Sequence, residues 1–432
     1  MQEGGQAMTH DGKLSVSPCK ILKRTDPSVP KVKDLPIEIR AALSSLQLPV
    51  EKIAGKRIAI SIGSRGISDL AQIVRSLCEW LRELGAQPFV FPAMGSHGGG
   101  TAEGQRKVLE EYGVSADEVG AEIRAAMGTV NLGTTPEGFT AFMDRNAWDA
   151  DGVLVINRVK PHTNFSGKIE SGLLKMMAVG MGKVEGAEEM HRWASRYGYE
   201  EVIRSMASKI LASGKILGGL ALIENELHEL CGIRAALPEN IVAVEEAAFE
   251  LARSLVPRIP FSEFQILIVD QIGKNISGTG MDTKVVGRGV KVPPDQAPNI
   301  DLIYVRDLTR ETNGNATGVG LADFVHERVH RKLDWEYTCL NVRTALSPML
   351  ARLPMHFSSD RDAIDFGLRV SGSPEPEKQR IVWIRNTLSL ERIVISQALA
   401  QDAAGLKGWQ LLPEDILLRF DREDNLCPVG AI

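Results

Sequence analysis

Apolar residues fall along this chain in two rhythms. Seven short runs are apolar at nearly every position: 57–62 (RIAISI), 88–91 (PFVF), 152–156 (GVLVI), 218–223 (GGLALI), 265–269 (QILIV), 301–305 (DLIYV) and 380–384 (RIVWI). A strand covered on one face alternates. Unbroken apolarity predicts strands covered on both faces, as inside a parallel sheet. Between these runs the period lengthens to 3.6 residues. In 68–84 the stripe Leu70, Ile73, Val74, Leu77, Leu81 and Leu84 predicts an amphipathic helix, with Ser68 and Asp69 as capping candidates. Similar stretches at 102–112, 187–213, 241–255 and 321–336 predict further helices. Strand–helix alternation of this kind predicts an α/β fold with largely parallel sheets.

Two prolines in 256–261 (VPRIPF) separate a helical stretch from a strand and predict a domain boundary. At 432 residues the chain exceeds one compact core and suits two α/β domains with an active-site cleft between them. The expected layout is a flexible tail over 1–25, an N-terminal cofactor-binding and catalytic domain over 26–257, and a C-terminal domain over 262–404. The segment 405–432 is expected to pack back on the first domain. A net charge of −5 with no basic stripe counts against nucleic acid as a partner. No apolar run reaches the roughly 18 residues of a membrane span. The opening MQEGGQAMTHDGK lacks the apolar core of a signal peptide. The five cysteines are scattered, odd in number and without a C-x-x-C pair, which counts against a disulfide framework and points to the cytoplasm.

In open parallel sheets, ligands sit beyond the carboxyl ends of the strands. The segments there are 61–69 (SIGSRGISD), 93–101 (AMGSHGGGT), 157–167 (NRVKPHTNFSG) and 270–282 (DQIGKNISGTGMD). They carry Arg65, His97, Lys160, His162 and Lys274. The glycines beside His97 let backbone approach a ligand and leave the imidazole uncrowded, and histidine titrates near neutrality; the bland reading is a polar turn. His162 follows Pro161 and Lys160 and fits the same role, or that of a loop histidine bonded to backbone. Lys175 stands among Leu173, Leu174, Met176 and Met177. Desolvation would favour its neutral, nucleophilic form, whereas a snorkelling lysine would keep its ammonium in water. Ser64 and Arg65 at a strand-to-helix turn suit a phosphate. His191, in a helical stretch, is a metal-ligand candidate or a surface histidine. The segment 326–330 (HERVH) matches the zinc-protease pattern H-E-x-x-H, with Glu327 as base; an amphipathic surface helix is the alternative.

Taken together, GSHGGG (95–100), KPHTNFSG (160–167), LLKMM (173–177) and EEMH (188–191) resemble the nickel-dependent lactate racemase family, which interconverts stereoisomers of 2-hydroxy acids. The resemblance implies a nickel-pincer nucleotide bound covalently through Lys175, with His191, sixteen residues later, on the nickel. It implies His97 and His162 as the two acid/base histidines. Ser64, Arg65, Gly98 and Gly99 would bind the cofactor, and Lys274, Lys160 and Arg158 the substrate carboxylate. The implied partners are a small 2-hydroxy acid and cofactor-maturation enzymes, and self-association is a further expectation. Two departures mark a divergent branch. Lys175 stands thirteen residues after His162, farther than in the better-known members, and Gly-Ser-Arg (63–65) replaces the family's Asp-Thr-Arg turn. Two other classes remain open on the residues alone: a zinc-dependent hydrolase using HERVH, and a non-catalytic ligand-binding paralogue.

Overall fold

The computed structural model describes residues 13–429 apart from Arg65, Asn164 and 290–296. The chain divides into two compact units. One is 28–256; the other is 257–432 together with the N-terminal residues up to Pro27. Both are α/β.

In the unit 28–256 six strands run in the order Glu122–Ile123, Gln87–Pro92, Arg57–Ile62, Gly152–Arg158, Ile216–Glu224 and Leu230–Ala236. All neighbours are parallel except the last pair. The apolar runs divide their side chains between two cores with a period of two, as a pleated strand requires. Ile58, Ile60, Ile62, Val90, Leu154 and Ile156 face the helix Leu70–Glu83. Ala59, Phe89, Phe91, Val153 and Val155 face the layer that contains Leu173, Met177 and Phe249. Each fully buried Val, Leu or Ile stabilises by about 1.5–3 kcal/mol, so both faces hold the sheet. From Arg57–Ile62 the chain steps outward through Gln87–Pro92 to Glu122–Ile123. It then re-enters at Gly152–Arg158 on the opposite side. The connections after Ile62 and Arg158 therefore diverge, and a crevice opens at the carboxyl ends of the central pair.

Two local expectations differ. The helix predicted over 187–213 is two helices, Lys183–Tyr197 and Tyr199–Leu211, separated by Gly198 at φ +87°. Asp69 occupies the N-cap of Leu70–Glu83 but makes no capping hydrogen bond, because its own φ is +57°. The backbone N–H of Ser68 donates instead to Glu224, at 2.8 Å.

The second unit holds an eight-stranded sheet. Met355–Phe357, Phe324–His326, Asn299–Leu308, Glu263–Ile272 and Ile381–Ile384 are parallel; Arg392–Ser396, Cys19–Arg24 and Trp409–Ile416 follow antiparallel. Residues 19–24 are thus a paired strand rather than part of a tail. Trp409–Ile416 pairs with them, so the segment after 405, expected to return to the first domain, belongs to the sheet of this unit. Nor is 321–336 a single helix. Phe324–His326 is a buried strand between Asn299–Leu308 and Met355–Phe357, and only Glu327–Lys332 is helical before the next helix begins at Trp335. Sheet pairing of an aromatic and a β-branched residue outweighed the 3.6-residue stripe. Among the described residues, no helix is long and apolar enough to cross a membrane.

Candidate active site

Three segments of the unit 28–256 converge at the carboxyl ends of its strands. The first is the turn after Arg57–Ile62. A Cβ on Gly63 would lie 2.8 Å from Met176 Cε, so the turn lies directly against the segment carrying Lys175. Ser64 Oγ is hydrogen-bonded to Nδ1 of His97, and the Tyr112 hydroxyl donates to the Ser64 carbonyl at 3.0 Å. Arg65 lies outside the described residues. The second segment is the turn after Gln87–Pro92. Gly98, Gly99 and Gly100 all have φ near +65°, which holds the exposed His97 at the head of a tight left-handed run. Gly98 and Gly99 differ in kind. A Cβ on Gly98 would lie 2.6 Å from the backbone nitrogen of Gln105, whereas Gly99 has open space around it. Packing on the helix Ala102–Glu111 accounts for the first, and only the second leaves room for a ligand.

The third segment carries Lys175. Leu173–Lys175 is one short helical turn that widens into a π-helix over Met176–Met181 and breaks at Gly182 before Lys183–Tyr197 begins. π-Helical turns recur at functional sites because they re-aim side chains. In one straight helix Lys175 and His191 would stand about 24 Å apart. The chain instead reverses at the corner, where a Cβ on Gly182 would lie 2.8 Å from the Ala178 carbonyl oxygen and Lys183 adopts φ +55°. The reversal brings the Lys175 charge close enough to act on His191. Burial holds the His191 imidazole below its usual pKa, and the neighbouring Lys175 ammonium lowers it further. His191 is therefore neutral at physiological pH, the form that binds metals.

His162 sits on the loop 161–170, closed at its base by the paired backbones of Lys160 and Ser171 (2.9 and 3.1 Å). Glu170 holds the loop from inside. Its buried carboxylate accepts the backbone N–H of His162 and, at 3.3 Å, that of Gly167. The His162 ring packs on Phe165 (centroids 4.8 Å apart), Phe165 stacks on Tyr199 (4.9 Å), and Tyr199 meets the edge of His191 (6.1 Å). An aromatic row thus links His162 to His191, although 29 residues separate them in sequence. His162 and His191 are linked through this row, and Lys175 acts on His191. Ser64 and His97 form a separate pair, joined to the Lys175 segment by the contact of Gly63 with Met176 and by the hydrogen bond from Gly95 N–H to the Gly180 carbonyl (3.1 Å).

The lysine sealed in the core is Lys183, not Lys175. Leu173, Leu174, Met176 and Met177 are buried, while Lys175 is half-exposed; Lys183 is wholly buried. Its ammonium donates to the Pro92 carbonyl (2.5 Å) and to Gln105 Oε1 (2.9 Å), and pairs with Asp144 (2.9 Å). Burial pushes this pair toward its neutral forms, Asp144 up and Lys183 down. The Gln105 amide in turn donates to the carbonyls of Gly95 (2.8 Å) and His97 (3.2 Å). Lys183 thus ties the corner of the Lys175 segment to the His97 turn. A second missed residue is Glu245. It is wholly buried, accepts the N–H of Leu174 at 2.8 Å and fixes the start of the Lys175 segment. Neither carries a sequence motif; for Lys183 the only signal was a lysine just after a glycine in an apolar stretch.

Other candidates lie elsewhere. Arg158 is ion-paired with Glu224, whose other oxygen takes the Ser68 N–H, so it braces the crevice walls. Lys274 belongs to the other unit, in the turn after Glu263–Ile272, where its ammonium donates to the Gly278 carbonyl at 2.6 Å. HERVH does not form the pattern it spells. His326 ends a strand and caps the helix: its Nδ1 accepts from Arg328 N–H (3.1 Å) and its Nε2 faces Asn425 Oδ1 (2.8 Å). His330 packs instead against His356, with ring centroids 4.5 Å apart. The two histidines cannot share a metal on one helical face, because only one of them projects from the helix.

Residues 13–195 match the family model described as lactate racemase N-terminal domain. No curated protein matches the chain. Among solved structures, the lactate racemase apoprotein from Thermoanaerobacterium thermosaccharolyticum is 13% identical, with a TM-score of 0.51 over 85% of this chain and 94% of that one. A protein from Thermotoga maritima is 19% identical, with a TM-score of 0.47 over 63% of this chain and 70% of that one. The first likeness is one of fold.

Proposed function

We propose that this chain, whose residues 13–195 match the model of a lactate racemase N-terminal domain, racemises or epimerises a 2-hydroxy acid with a nickel-pincer nucleotide held by Lys175 and His191. The observation that carries this reading is the corner at Gly182–Lys183, which sets an amine beside a neutral imidazole. That donor set fits the group: the amine can form the covalent link, and the imidazole can ligate nickel. When bound, the group supplies an electrophilic carbon that takes the C2 hydrogen as hydride and returns it to either face. Ser64, Arg65 and the backbone at Gly99 would contact its phosphate.

The chain's own residues handle the proton. Histidine is too weak a base to remove the C2 hydrogen as a proton, but it can take the hydroxyl proton as the C2–H bond breaks and the carbon becomes a ketone. With Nδ1 of His97 bonded to Ser64 Oγ, the exchanging atom of His97 is Nε2. His162 does the same for the mirror-image substrate. Lys160 is the proposed partner of the substrate carboxylate. The Phe165–Tyr199 stack supplies an apolar wall beside His162.

The test is metal analysis with peptide mass mapping on protein co-produced with cofactor-maturation enzymes. Nickel and a mass addition on the Lys175 peptide are expected, with both lost in Lys175→Ala. His97→Ala and His162→Ala should keep both and lose exchange at C2. Full nickel and full activity in Lys175→Ala would overturn the proposal.

A further inference from the structure

Half of the large apolar side chains left exposed among the described residues fall within 335–355: Trp335, Tyr337, Leu340, Leu346, Leu353 and Met355. The helix Trp335–Thr344 buries Thr338 and Val342 and leaves Trp335, Glu336, Leu340 and Arg343 exposed. Beside it runs the short turn Pro348–Ala351, and between them lies an open groove of about 950 Å³. Leu346, at the end of this hairpin, is 65% exposed with φ +51°. A left-handed leucine costs about 1–2 kcal/mol, and its side chain gains nothing from water. Neither feature stabilises the unit by itself.

We propose that this face is the contact between two copies of the chain, packed about a two-fold axis with the Trp335–Thr344 helices antiparallel. The charges select that occupant. The helix is acidic where it starts (Asp334, Glu336) and basic where it ends (Arg343), and Arg352 lines the same groove. Glu336 and Arg343 are about 10 Å apart along the axis. A two-fold axis sets each acidic end on the other copy's basic end, whereas a parallel arrangement opposes like charges. Self-complementarity of this kind is what an isologous dimer needs. Trp335, Tyr337 and Leu340 line the groove about half exposed and leave roughly 300 Å² of apolar surface there. That is more than a third of the ~800 Å² per partner in a standard interface. The end strand of the eight-stranded sheet begins at Met355, so its outer edge lies next along the chain to extend the contact.

Sedimentation velocity of the full chain across a wide concentration range tests this. A species of twice the chain mass is expected. Leu340→Asp should weaken it about thirtyfold or more with an unchanged circular dichroism spectrum, as for a central apolar contact. Arg343→Glu should weaken it most at low salt, and the exchanged pair Glu336→Lys with Arg343→Glu should restore it. A chain that stays monomeric throughout, or a dimer indifferent to Leu340→Asp, overturns the proposal. Neither result bears on the racemase reading, because no catalytic candidate lies on this face.

Discussion

Replacing Lys183 by methionine is the most informative single perturbation of the site. The ammonium has three partners: the Pro92 carbonyl, Gln105 Oε1 and Asp144. Methionine keeps the volume and removes all three. Asp144 Oδ1 would still accept the N–H groups of Asn146 (2.7 Å) and Ala147 (3.3 Å), but the buried Oδ2 would be left without a cation, beside two orphaned carbonyl oxygens. Breaking one member of a buried ion pair costs about 3–5 kcal/mol. For a domain of this size that corresponds to roughly 6–20 °C in Tm, at 2–4 °C per kcal/mol. The double variant Lys183→Met with Asp144→Asn removes the stranded charge and should recover a large part of the loss. The pH dependence has a definite sign. A carboxyl whose folded pKa is raised binds a proton more readily when folded, so stability falls as pH rises through that value. Burial already raises Asp144, and loss of Lys183 raises it further, so the penalty in the single variant should shrink on acidification. Denaturant unfolding of the wild type, both single variants and the double variant measures the coupling. A Lys183→Met penalty below about 1 kcal/mol, or a strictly additive cycle, would refute the clamp.

Three further outcomes follow from the same geometry. Burial pushes Glu245 up to about 7 from an ordinary 4.5, so wild-type stability relative to Glu245→Gln should fall by about 2.5 kcal/mol as pH rises from 5 to 8; a flat difference would exclude it. Gly98→Ala should cost well over the ~1–2 kcal/mol expected for Gly99→Ala, since both are left-handed but only the first would press a Cβ on the Gln105 backbone; thermal melts of the two variants decide. His326→Ala should lose about 1–2 kcal/mol through its helix cap and leave metal content unchanged; loss of a bound metal would revive the zinc reading.

Much of this molecule was legible from local pattern. The unbroken apolar runs predicted doubly covered strands, because burial on two faces removes polar alternation. The glycines around His97 and the Lys175–His191 spacing were visible in the sequence, because tight turns and fixed spacings are local properties. What the pattern missed is long-range. Residues 19–24 read as a tail, because a strand that pairs with 392–396 and 409–416 shows its pairing only in the folded sheet. HERVH satisfied a motif, yet a buried strand ended inside it. Lys175 looked like the buried lysine, but burial is decided by what packs from elsewhere. Lys183 is the one enclosed, by Pro92, Gln105 and Asp144, contributed by three other parts of the chain. The sequence by itself determined the doubly covered strands, the helices between them in outline and the residue types available for chemistry. Only the tertiary structure decided which of them meet, because the corner at Gly182–Lys183 and the sheet crossover bring together groups that no local spacing relates.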